Sequence, residues 1–101
     1  MIYRGTTPQL VFTLPIDIEN FKKVELAISY KGQVILTKTL EDGVVDGKVI
    51  SWGLTQEETL LFNNEEETIE MQIRAKAKDE TAYASQIIKE RVKAILKDGV
   101  I

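Results

Sequence analysis

The 101-residue chain carries 13 basic and 16 acidic side chains, a formal charge of −3, and neither cysteine nor histidine. Its length suits one domain with a single core, and the missing thiols and imidazoles exclude a disulfide framework, a thiolate zinc site and the commonest general base and metal ligand. Acidic and basic residues are mixed along the chain, which argues against the concentrated basic face a nucleic-acid binder needs. No apolar run approaches the roughly 20 residues of a membrane span, and no charged-then-apolar leader opens the sequence, so no membrane association is expected and the chain is read as soluble and made in the cytoplasm.

Met1 to Thr7 is polar, with Arg4-Gly5 and Thr7-Pro8 marking a bend. From Gln9, Leu10, Phe12 and Leu14 alternate with Val11 and Thr13 as a strand that Pro15 ends, because proline has no N–H for the ladder. Ile16, Ile18 and Phe21 line a crossing loop. Val24, Leu26, Ile28 and Tyr30 form the clearest period-two pattern, Gly32 supplies a tight turn, and Val34, Leu36 and Leu40 return, with Lys38 on their face. Asp42-Gly43 and Asp46-Gly47 are turn signals before Val49, Ile50 and Trp52.

The period breaks at Gly53–Phe62. Thr55 followed by Glu58 is a capping box, predicting a helical turn over 55–61, with Leu54 as a staple against Thr59 or Leu60 and with Leu60, Leu61 and Phe62 plugging an apolar end into the core. Asn63 to Glu67 reads as a solvated acidic loop. Ile69, Met71, Ile73, Ala75 and Ala77 then form a buried strand face opposed by Glu70, Gln72, Arg74, Lys76 and Lys78, and the small residues of Ala82 to Ser85 imply close approach of a neighbour. Gln86 to Leu96 fits both periods: Ile88, Val92 and Ile95 at helical spacing, or Ile88, Val92, Ala94 and Leu96 on one strand face. Propensity favours a helix there, whereas a chain of hairpins needs a partner strand to cover a sheet edge, so the residues alone leave both open.

About seven short strands at the roughly 8 to 12 residue spacing of a sandwich, separated by Gly, Asp and Asn turns, predict an all-β antiparallel β-sandwich in one domain, 1–101. Trp52 is expected as core beneath the helical turn rather than as a ligand-stacking ring. Glu41, Asp42 and Asp46 do not match a calcium-loop spacing. Glu57 and Glu58 are adjacent and do not face each other on a helix. Ser85 and Lys89, placed on a strand, stand roughly 13 Å apart, too far for a serine-lysine pair. No catalytic residue, metal site or cofactor is therefore expected, and the chain is not read as an enzyme. The candidate docking surfaces are the charged stripe Arg74, Lys76 and Lys78, a second stripe of Lys23, Glu25 and Lys31, and the apolar Val100-Ile101.

Leu54–Phe62, Met71–Ala75, Ala84-Ser85 and Ile95–Ile101, together with the start Tyr3–Pro8, resemble a family of small proteins from tail or baseplate regions of phages and prophages of Gram-positive bacteria. The resemblance implies an immunoglobulin-like fold, supports the strand over 86–96, and implies a non-catalytic structural or assembly role. It further implies phage tail or baseplate proteins, or a second copy of the chain, as partners and the virion as a setting. It supplies no functional residues. The alternative is a carbohydrate-binding or host-adhesion module, for which Trp52, Tyr3, Tyr30 and Tyr83 are the available aromatics.

Overall fold

The computed structural model describes residues 1–62 and 67–101, so the greater part of the expected acidic loop, 63–66, lies outside the described residues. The strands are β1 (Ile2–Tyr3), β2 (Gln9–Thr13), β3 (Phe21–Tyr30), β4 (Gln33–Thr39), β5 (Val44–Asp46), β6 (Val49–Gly53), β7 (Glu67–Ala77), β8 (Ala82–Ala84) and β9 (Ile88–Lys93), with α1 (Gln56–Thr59) between β6 and β7. One sheet runs β1-β9-β7-β3-β4 with β8 also paired to β7, and the other runs β2-β6-β5. The fold is the expected all-β sandwich; within it, β1 lies parallel to β9, while the other ladders are antiparallel.

Strand β7 organises the larger sheet. Ile69, Met71, Ile73, Ala75 and Ala77 are all buried, so period two holds along its whole length. One edge pairs with β3; the other is divided between β9, opposite Glu67–Met71, and β8, opposite Arg74–Lys76. Ser85 bridges the break: its backbone N–H donates to the Ile73 carbonyl at 2.8 Å, and its Oγ accepts from the Ile73 N–H at 3.0 Å. The core between the sheets is made of Leu26, Ile28, Ile50, Trp52, Ile69 and Val92, all 0% exposed, with Phe62 and Leu54 closing it. The Trp52 Nε1–H donates to the Thr39 carbonyl at 2.8 Å, and its ring meets Phe12 edge-on at 5.9 Å. Gly43 passes so close to it that a Cβ there would stand 3.0 Å from Trp52 Nε1 and from Ile50.

The β3–β4 hairpin closes through Lys31 (φ 50) and Gly32 (φ 80), the two positive φ angles of a type I′ turn. Four expectations need correction. Ile2 and Tyr3 belong to a strand, and Ile2 is buried. The partners Ile28↔Leu36 and Ser29↔Val34 leave Ile35 as an extra residue on β4; this bulge turns Val34 out to solvent, and Ile35 packs on the core in its place. Strand β9 exists, but it ends at Lys93, so Ala94 and Leu96 are exposed rather than on its buried face. Leu61 is also exposed, leaving Phe62 as the buried plug of the α1 crossover.

Candidate interaction surface

Two clusters of charge stand out, one built around α1 and one on the outer face of the larger sheet. At α1 the capping box closes as expected: the Glu58 N–H donates to Thr55 Oγ1 at 3.1 Å and the Thr55 N–H donates to Glu58 Oε1 at 2.9 Å. Glu58 Oε2 also receives the Lys38 ammonium at 2.5 Å, with the two side chains 16% and 19% exposed. This explains why a lysine follows Leu36 on the inward face of β4. Burial opposes ionisation of Glu58, but the hydrogen bond from Lys38, the Thr55 N–H and the Lys38 charge outweigh it and hold the carboxyl below its usual range.

The other end of α1 depends on Arg4. Its guanidinium, 7% exposed, donates through Nε to the Phe62 carbonyl at 2.7 Å and through Nη2 to the Leu60 carbonyl at 2.9 Å, and Nη1 pairs with Asp98. Arg4 therefore satisfies carbonyls that the end of the helical turn leaves without internal partners. Thr59, fully buried, donates its hydroxyl to the Thr6 carbonyl at 2.9 Å. The Ile101 N–H donates to Gln56 Oε1 at 2.8 Å, so the terminal residues run beside α1 with the Val100 and Ile101 side chains exposed. Nothing in the local sequence marks Arg4 for this work, since its partners lie 56 to 94 residues away.

The second cluster surrounds an open groove of about 270 Å³ lined by Lys23 and Glu25 of β3, Arg74 and Lys76 of β7, and Ala82 and Tyr83 of β8. Register makes the two charged stripes one surface: Lys23 stands directly opposite Lys76, Glu25 opposite Arg74, and Ala82 opposite Lys76 on the far side. The small side chain of Ala82 leaves the groove its depth. Lys76 Nζ lies 3.0 Å from Glu80 Oε2, and Glu80 also pairs with Lys22. Both lysines, Lys22 first, hold the Glu80 carboxyl below its usual range. Of the expected docking face, Arg74 and Lys76 come together here. Lys78 sits beyond the strand end, where its N–H donates to the Asn20 carbonyl at 2.9 Å, and Val100 and Ile101 belong to the α1 neighbourhood instead. Lys31 lies over the Tyr30 ring, 5.2 Å from its centroid, and does not line the groove.

The remaining candidates have structural occupations. Asp42 caps a 3-10 turn, accepting from the Thr39 N–H at 2.9 Å and the Thr39 hydroxyl at 3.0 Å; these bonds, the N–H first, lower its carboxyl pKa. The Ser85 hydroxyl donates to the Gln86 carbonyl at 2.9 Å while accepting from Ile73. Among the described residues no group of three or more acidic side chains is placed to hold a metal ion, and no helix is long and apolar enough to cross a membrane. The groove falls below the roughly 300 to 1,000 Å³ of a small-molecule pocket, and four of the side chains that line it, Lys23, Glu25, Arg74 and Lys76, are charged. The arrangement suits electrostatic docking better than chemistry. No family model matches the chain, and comparisons with curated proteins and with solved structures return no match.

Proposed function

We propose that this protein is a non-catalytic interaction module that serves structure or assembly in a phage or prophage tail or baseplate region, binding tail or baseplate proteins or a second copy of itself. The observation that carries the interaction is the juxtaposition of Lys23 with Lys76 across the β3–β7 ladder, beside Arg74. Like charges directly opposite each other disfavour a sheet, and although Glu80 pairs with Lys76, among the described residues no ion pair engages Lys23 or Arg74. The tail setting rests on the sequence resemblance of Leu54–Phe62, Met71–Ala75 and the flanking segments.

The carbohydrate-binding alternative loses its strongest aromatic, because Trp52 is 0% exposed and its N–H is committed to Thr39. Tyr83 meets Phe21 edge-on at 5.6 Å and Tyr30 lies under Lys31, which leaves Tyr3 as the most exposed of the named aromatics.

The test is to induce a lysogen whose prophage encodes this chain, purify the particles, and delete the gene in parallel. The proposal expects the protein in purified particles or, if it acts only during assembly, tailless or unstable particles after deletion. Normal particles without it, together with its absence from the wild-type virion, would contradict the proposal.

A further inference from the structure

We propose that the groove between β3, β7 and β8 receives an extended segment of a partner protein carrying carboxylates at alternate positions. Arg74 and Lys76 are two residues apart on one face of β7, which sets their Cα atoms about 7 Å apart. An extended peptide with Asp or Glu at every second residue has the same repeat, so two successive carboxylates meet the two cations without bending either chain. Lys23, directly opposite Lys76, adds a second cation to that row and makes it the anchoring end. Ala82 forms the low floor over which the incoming side chains pass.

The groove is also selective through its one carboxylate. Glu25 stands opposite Arg74, and among the described residues no ion pair joins them. Its charge disfavours a second carboxylate on the β3 side of that row, which fixes the register of the segment. Glu80 borders the lysine row and holds Lys76 until a partner carboxylate replaces it. Three cations interrupted by Glu25 and bordered by Glu80, on a chain of net charge −3, make a poor track for a nucleic-acid backbone, which needs many uninterrupted phosphate contacts. An acidic protein segment is the occupant that matches the spacing, the charge and the interruption.

This inference rests on the interaction-module reading but is tested separately from it. The full chain is titrated against fluorescein-labelled peptides of alternating Glu and Ser, the matching Gln and Ser peptide, and a single-stranded oligothymidylate, with fluorescence anisotropy as the readout. The alternating acidic peptide is expected to bind, the Gln peptide not to bind, and affinity to fall as salt rises above about 0.15 M. The Lys23→Gln/Arg74→Gln/Lys76→Gln variant should weaken binding by roughly tenfold or more, from three charge pairs of modest individual value. Ala82→Trp should weaken it as well by filling the floor without altering charge, whereas Lys48→Gln, a cation outside the groove, should leave it intact.

Equal binding of the Glu and Gln peptides would overturn the proposal, as would undiminished binding by the triple variant or tighter binding of the oligothymidylate. A positive titration with no protein in phage particles would leave the groove assignment standing and remove the tail setting. Protein in particles with no peptide binding would do the reverse.

Discussion

The two charged clusters of this molecule differ in what their charges face. Around α1 the ions meet groups that need them: Arg4 meets two carbonyl oxygens and Asp98, and the Glu58 carboxylate meets the Thr55 N–H and Lys38. On the outer face of β3 and β7, Lys23 stands opposite Lys76 in the ladder, and Lys76, 47% exposed, pairs with a still more exposed Glu80. A charge that completes hydrogen bonds in a partly buried site helps to hold the fold, and losing it strands its partners. An exposed charge beside a like charge contributes little to folding and remains available to something outside. The contrast teaches that the same residue types, separated by a few strands, serve cohesion in one place and recognition in the other.

Arg4 carries the largest expected effect. Arg4→Ala should cost about 3 kcal/mol, because the Leu60 and Phe62 carbonyls lose charge-assisted partners in a buried site. The melting temperature should drop by more than about 10 °C in a calorimetric scan of a chain this size. A drop of only a degree or two would mean that water replaces the guanidinium and that the α1 cluster is as dispensable as the outer one.

Thr55→Ala should have the next largest effect, about 0.5 to 2 kcal/mol from the lost cap, read as a lower urea midpoint at unchanged slope. An unchanged midpoint would separate α1 from the stability of the sandwich.

The Glu58 carboxylate also makes stability depend on acid. Glu58 has a folded-state pKa below its ordinary 4.5, so its contribution to stability is complete above that value and is lost as pH falls through the lower folded value. Glu58→Gln should therefore flatten the loss of stability below about pH 4.5 relative to the unsubstituted chain. Parallel curves for the two proteins would show that the Lys38 pair and the cap do not favour the ionised form.

Much of the sandwich was legible in the sequence because half-buried strands write their period directly: Ile69 to Ala77, Val24 to Ile28 and Leu10 to Leu14 all place their inward residues as expected. The capping box was legible for a similar reason, since Thr55 and Glu58 are three residues apart and its two bonds run between their own backbone and side chains. What was hidden depends on register and distance. The Ile35 bulge moves Val34 outward without any glycine to announce it. A two-residue parallel strand at Ile2 is too short to carry a period. Arg4 reads as part of a bend, although its side chain is the main link between the chain start, the α1 end and Asp98. The charged stripes on β3 and β7 were each visible, but their union into one groove needs the pairing of Lys23 with Lys76, and the depth needs Ala82 from a third strand.

The smallest expected effect is also the most direct test. Equilibrium urea unfolding of Lys23→Gln/Arg74→Gln should give a stability within about 0.5 kcal/mol of the unsubstituted chain, or slightly above it as the repulsion with Lys76 is relieved. That result would mark the outer cluster as charge the fold does not require. A loss of more than about 1 kcal/mol at unchanged slope would show that these cations hold the sheet together, and the distinction between the cohesive and the recognising cluster would fall.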